Sequence, residues 1–182
     1  MAASTRFASQ KRIALAGSEK SALTAKAQPA AKTAAARGNI IVSVVLKCKA
    51  ALPVKGGVPQ ERLTRAAYAS KYGADPESKK LVKAFAKEFG LKVERGKQPG
   101  PRTLQLTGSA TAMQKAFGVK LTQKGALRVR EGSIFLPAEL EGHVEAVLGL
   151  DNRPQAKPHF RPAKAAAGTS YTPVQVLSLI HI

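Results

Sequence analysis

Between residues 40 and 150 the apolar positions follow two rhythms, one of two residues and one of three to four, and the switches between them mark the elements. Ile40-Ile-Val-Ser-Val-Val-Leu46 is β-branched or apolar at nearly every position, which predicts a central strand covered on both faces. Pro53, Gly56 and Gly57 place a loop over 50–58. Thr64 then caps a helix over 65–72, with Tyr68 and Tyr72 on one face and Gly73 as its stop. A stronger helix follows, with Asp75 as cap, Pro76 at the first helical position and Glu77 in the first turn. Leu81, Phe85 and Phe89 form its apolar stripe with Val82 and Ala86 alongside, and Gly90 ends it. Lys79, Lys80, Lys83 and Lys87 occupy its solvent flank.

Residues 91–94 read as a strand, 96–101 as a turn, and Thr103-Leu-Gln-Leu-Thr107 alternates as a half-buried strand does. Ser109 caps a short helix with Met113, Ala116 and Phe117 apolar and Gly118 as the stop. Short strands are predicted over 119–122 and 127–130 around the turn Gln123-Lys-Gly125. One helical turn is predicted over 137–141, and a last strand over 144–150. Strand, helices, two strands, helix and strands in that order predict an α+β fold. It is close to the ferredoxin-like split βαβ pattern, an antiparallel sheet with helices packed on one face.

The pattern divides the chain. Residues 1–37 are Ala, Ser, Thr, Lys and Arg with no apolar stripe to dock them, and read as a disordered basic segment. Residues 38–151 form the domain, and 152–170 an extended linker in which Pro154, Pro158 and Pro162 forbid regular structure. The nineteen linker residues would span up to roughly 60 Å when extended. Residues 171–182 form a separate terminal piece.

Charge adds a partner class. The net charge is +19, carried as +6 over 1–37, +9 over 38–151 and +4 over 152–182. Any large partner is therefore acidic: nucleic acid, an anionic membrane or an acidic protein. The tails fit either a solvated arm or a nucleic-acid tail, and the acid-poor N-terminus also fits an organellar transit peptide. Cys48 is the single cysteine, which excludes an internal disulfide and suggests a small buried hydrophobe. No run reaches the roughly 20 apolar residues of a membrane helix. The segment 13–17 is too short and polar-flanked for a secretory core.

Catalytic chemistry is scarce. His143, His159 and His181 are the only histidines, and the last two stand in irregular stretches. No His, Asp and Glu spacing suits zinc, and Gly56-Gly57 lacks the pattern of a phosphate loop. Glu139, Glu141 and Glu145 read as the solvated flank of a turn and strand, and Ser109 and Ser133 have no visible base. The lysine-flanked helix is the best nucleic-acid candidate, but its aromatics lie on the apolar stripe. The residues themselves indicate neither catalysis nor a metal site in this chain.

Several segments in order resemble a known family. They are Ile41-Val-Ser-Val-Val-Leu-Lys47, Leu63-Thr-Arg-Ala-Ala-Tyr-Ala-Ser-Lys-Tyr-Gly-Ala74 and Phe85-Ala-Lys-Glu-Phe-Gly-Leu-Lys-Val93. Leu106-Thr-Gly-Ser109, Met113-Gln-Lys-Ala-Phe-Gly-Val-Lys-Leu121, Phe135-Leu-Pro-Ala-Glu-Leu140 and Val144-Glu-Ala-Val-Leu-Gly-Leu-Asp-Asn-Arg-Pro154 follow. Together they resemble the activation pro-domain of the sedolisin/kumamolisin serine-carboxyl peptidases. Arg12-Ile-Ala-Leu-Ala-Gly-Ser-Glu-Lys20 is similar to the opening of such precursors, and Ser170-Tyr-Thr-Pro-Val-Gln-Val176 to the start of the mature peptidase.

The resemblance implies a propeptide of a secreted, acid-active endopeptidase that assists folding, inhibits the enzyme and is removed by autoproteolysis at low pH. It implies a cognate catalytic domain as partner, with neither membrane nor nucleic acid involved. The family's catalytic residues and calcium site lie in the peptidase domain, so no catalytic, metal or cofactor residue is carried over here. Cleavage is expected among Arg161, Lys164, Ala165, Ala166, Ala167, Gly168, Thr169 and Ser170, where the side chains are mostly small and unhindered. After Val176 the chain departs from the family pattern and reads as a truncated peptidase start. Two other readings are a basic nucleic-acid-binding module and a structural α+β domain with no peptidase partner. Sequencing the gene downstream of Val176 separates them: the pro-domain reading expects an in-frame catalytic domain with Glu-x-x-x-Asp and Gly-Thr-Ser signatures.

Overall fold

The structure, a computed structural model, describes residues 5–21, 33–51, 54–55, 58–59, 62–94 and 100–154. Among them the order is β1 (Arg12–Ala14), β2 (Thr33–Ala35), β3 (Asn39–Leu46), β4 (Val54–Lys55), β5 (Val58–Pro59), α1 (Arg65–Tyr72) and α2 (Pro76–Glu88). There follow β6 (Lys92–Val93), β7 (Thr103–Ser109), α3 (Ala110–Phe117), β8 (Leu121–Lys124), β9 (Leu127–Arg130), β10 (Phe135–Pro137), a 3-10 turn (Ala138–Leu140) and β11 (Val144–Leu148). The main sheet runs β11-β3-β7-β6, antiparallel throughout, the strand order of a ferredoxin-like split βαβ domain.

The helices form where local chemistry specifies their ends. The Thr64, Asp75 and Ser109 side chains accept hydrogen bonds from the N–H groups of Ala67, Ser78 and Ala112. Gly118 closes α3 in the left-handed region at φ +58°. Gly73 ends α1 for another reason: its φ is −60°, but a Cβ there would lie 2.3 Å from the Ala69 carbonyl oxygen.

The core lies between the sheet and α2 with α3. Ile40, Val42, Val44 and Leu46 of β3, and Leu104 and Leu106 of β7, pack with Val82, Phe85, Ala86, Met113, Ala116 and Phe117. Phe85 is the hub, with ring centroids 5.8 Å from Phe7, 5.7 Å from Phe117 and 5.0 Å from Phe89. The α2 stripe is rotated from the expected one. Ser78, Val82, Phe85 and Ala86 are buried, whereas Leu81 and Phe89 are half-buried at its border.

Four expectations need correction. First, the N-terminal segment is not all loose: residues 5–21 belong to the folded unit. Phe7 is 1% exposed in the core, and Glu88 accepts from the Phe7 and Ala8 N–H groups at 2.9 and 2.8 Å. The Arg6 guanidinium pairs with Glu139, and the Gln10 side chain both donates to Glu139 Oε2 (2.7 Å) and accepts from the Glu139 N–H (3.0 Å). β1 pairs with β10, and Arg12 donates to the carbonyls of Ala116 and Lys115 at the end of α3. Glu139 is thus a docking acceptor rather than a solvated flank, and β2 adds Thr33–Ala35 to the β8–β9 hairpin. A lone Phe has no periodicity, so the sequence pattern could not reveal this anchor.

Second, β3 is central but covered on one face, because burial alternates along it. Third, the expected loop over 50–58 contains β4, which pairs with β5 as a short hairpin. Fourth, Cys48 is half-buried and bridges Ala74 rather than sitting in the core. The predicted turn at 96–101 lies largely outside the described residues.

Because Phe7 fills the hub, Phe7→Ala is expected to destabilise the domain by about 3–5 kcal/mol, most of the margin of a small domain. Urea unfolding checks this; an unchanged midpoint would show that the N-terminal segment is not part of the core.

Candidate functional site: the open sheet face and the chain exit

Alternation along β3 and β7 sends one set of side chains into the core and the other to the opposite face. On that face Ile41 stands opposite Thr107, Ser43 opposite Gln105, and Val45 opposite Thr103. β11 adds Leu148 opposite Ser43 and Ala146 opposite Val45, and β6 adds Lys92 opposite Thr107. Ile41 and Leu148 are 59% and 57% exposed, so two large apolar side chains face outward at adjacent strands. Val45, Ala146, Ser43, Gln105 and the threonines make the centre of the face uncharged, and the charged Lys92 and Glu94 stand at its edge strand. A chain of net charge +19 that leaves the centre of such a face uncharged has the makings of a docking surface.

The chain leaves the domain beside this face. β11 ends at Leu148, and Gly149 turns at φ +97°, where a Cβ would lie 2.8 Å from the Ile41 carbonyl oxygen. Only glycine fits both the left-handed backbone and that approach. Leu150 is buried, and the next three residues are fastened to β9 and its hairpin. The Arg130 N–H donates to Asp151 Oδ2 (3.0 Å), and the Arg153 N–H donates to Asp151 Oδ1 (2.8 Å). The Arg153 guanidinium donates to Asp151 Oδ2 (2.8 Å), to the Arg130 carbonyl (2.9 Å) and to the Ser21 carbonyl (2.8 Å). Asn152 donates through its N–H to the Arg128 carbonyl (3.0 Å), and Arg128 donates to the carbonyls of Leu150 (2.9 Å) and Gly149 (2.8 Å). Arg130, 4% exposed, reaches the carbonyls of Gly132 and Ser18.

The fastened residues therefore run on through Arg153, past the Asp151 that the sequence pattern marks as the boundary. An Asp-x-Arg pair directly before a proline was the available signal. It reads as the start of a polar linker because nothing in it is apolar. The expected cleavage residues Arg161, Lys164, Ala165, Ala166, Ala167, Gly168, Thr169 and Ser170 lie outside the described residues, as do His159 and His181.

No side chains assemble here for covalent chemistry. His143 Nδ1 lies 2.8 Å from Ser78 Oγ, but Ser78 is 4% exposed and its N–H donates to the Asp75 cap. The contact ties the start of α2 to the residue before β11. Among the described residues no three His, Cys, Asp or Glu side chains gather as a metal site, and no helix is long and apolar enough to cross a membrane.

Asp151 is the titratable centre of the exit. Burial pushes its carboxyl up, but hydrogen bonds from the Arg153 side chain and from the Arg130 and Arg153 N–H groups outweigh this and hold it below the ordinary carboxylate range. A depressed folded pKa contributes stability that is fully present above the unfolded value of about 4. That stability is lost as pH falls through the lower folded value. The urea midpoint of the wild type is expected to drop more steeply below about pH 4 than that of Asp151→Asn. Parallel acid limbs would show that Asp151 does not carry this dependence.

Comparison with known proteins agrees with this architecture. A family profile described as "Pro-kumamolisin, activation domain" matches residues 58–153, more than half of the chain. Kumamolisin of Bacillus sp. (strain MN-32) is 35% identical over 129 residues, which are 63% of this chain. The aligned region spans 23% of that relative's length. The profile ends at Arg153, whose side chain is fastened to Ser21 and to β9. The chain belongs to the pro-kumamolisin activation domain family.

Proposed function

We propose that this chain is the pro-segment of a secreted, acid-active serine-carboxyl endopeptidase. It docks on the cognate catalytic domain, assists its folding, inhibits it, and is removed by autoproteolysis at low pH. The observation that carries this reading is the open sheet face bearing Ile41 and Leu148, beside the turn at Gly149 where the chain leaves β11. A domain that docks through that face has the start of its exit, at Gly149, beside the interface. Burying two exposed aliphatic side chains supplies about 1.5–3 kcal/mol each when coverage is complete. The basic surface, including the lysine flank of α2, supplies long-range attraction to an acidic partner. Lowering the pH protonates the partner's carboxylates and weakens that attraction.

On this reading the chain needs no cofactor of its own, calcium belongs to the peptidase domain, and cleavage falls within 161–170. The partner is a protein, and neither membrane nor nucleic acid takes part. The protein acts outside the cell.

The test mixes the purified chain with a mature serine-carboxyl peptidase. Inhibition is expected near neutral pH and is expected to weaken as pH falls or salt rises. Ile41→Asp and Leu148→Asp are each expected to weaken inhibition by roughly tenfold or more, with the urea midpoint nearly unchanged because both positions are already in solvent. A correctly folded chain that does not inhibit at any pH overturns the proposal. Tight, steeply salt-dependent binding to DNA or RNA in the same preparation would instead favour a nucleic-acid module.

A further inference from the structure

The contacts around Asp151 do more than end a domain, and they are unusual in their placement. The strand stops at Leu148, yet the next five residues are held by hydrogen bonds to β9, to the β8–β9 turn and to Ser21 of the N-terminal segment. Leu150 is seated in the core, whereas the contacts beyond it are polar. They use Asp151 and Arg153, whose side chains are 6% and 12% exposed, and they engage backbone groups of β9 and of the N-terminal segment.

From these contacts we infer that the Asp151–Arg153 cluster is a latch that extends the hold on the chain from the buried Leu150 to Arg153, and so fixes the distance from the docked domain to the bond that is cut. Asp151 and Arg153 are positioning residues, not catalytic ones. The second half of the inference rests on the reading as a peptidase pro-segment. The first half stands on the contacts alone.

The geometry makes the effect large. Leu150 stays anchored in the core, so releasing 151–153 adds three residues of free chain, or roughly 10 Å of reach. A scissile bond must sit within about 3–3.5 Å of the attacking atom, so slack of that size spreads the population over several bonds. Gly149 starts the detour: its left-handed φ and its approach to the Ile41 carbonyl turn the chain out of β11 before it meets β9. The charged groups that face Asp151 are Arg153 on its own segment and Arg130 on β9. Arg128 secures the carbonyls just before it. Both ends of the detour are therefore held by arginines of one strand.

Two experiments on the full 182-residue chain decide the halves separately. The first is limited proteolysis at neutral pH with an unrelated broad-specificity endopeptidase, followed by mass spectrometry. The wild type is expected to be cut downstream of Pro154 and spared within 149–153. Asp151→Asn and Arg153→Gln are expected to open new cuts within 149–153, with the urea midpoint confirming that each is folded. Early cutting of the wild type within 149–153, or an unchanged pattern in both variants, overturns the latch.

The second experiment inserts three residues between Pro154 and Gln155 and maps the bond cut by a serine-carboxyl peptidase. A fixed distance moves the cut three residues upstream in the original numbering. In Asp151→Asn the single cut is expected to spread over several bonds. A cut that stays at the same sequence, or remains single in Asp151→Asn, overturns the distance rule. If the peptidase neither binds nor cuts any form, the proposed function fails together with the distance rule, while the first experiment still decides the latch.

Discussion

Everything in this fold depends on β3 burying one face and leaving the other bare. Its inward residues Ile40, Val42, Val44 and Leu46 are within 2% of complete burial and meet the aromatic hub at Phe85. Because side chains alternate along a strand, fixing that face fixes the opposite one. Ile41 must then face away from the core, as must Leu148 on the strand paired beside it. The docking face is a consequence of the same register that builds the core. A one-residue slip would exchange the two and destroy both.

The hub also explains the N-terminal segment. Phe7 completes the ring cluster around Phe85, and the carboxylates of Glu88 and Glu139 receive the backbone and side chains on either side of it. Arg12 closes the other end by capping α3 and lying 5.4 Å over the Phe89 ring. The same segment reaches Ser18 and Ser21, which accept from Arg130 and Arg153. The first and last parts of the folded unit are thereby tied to one another through the β8–β9 hairpin.

Much of this was legible from local signals. The caps at Asp75 and Ser109, the stop at Gly118 and the alternation over 103–107 each rest on a few adjacent residues, and the structure reproduces them. The antiparallel α+β arrangement followed from their order. What escaped were features whose cause is distant in sequence. Phe7 contacts a residue far along the chain and has no neighbours that repeat its pattern. β1 and β2 have three residues each, too few for a period to show. The Asp151 cluster is entirely polar, so it reads as linker until its partners on β9 are known. The most informative error concerns β3. Its sequence looks covered on both faces, and in this chain one of those faces is open. In the proposed docking a partner supplies the missing cover, and the sequence carries the imprint of the complex rather than of the domain.

That claim is most directly measured by hydroxyl-radical footprinting of the chain alone and bound to an inactivated serine-carboxyl peptidase. Docking through the open sheet predicts that Ile41 and Leu148 lose most of their reactivity on binding, while the lysine flank of α2 changes little. Protection of that flank with Ile41 and Leu148 still fully reactive would contradict it.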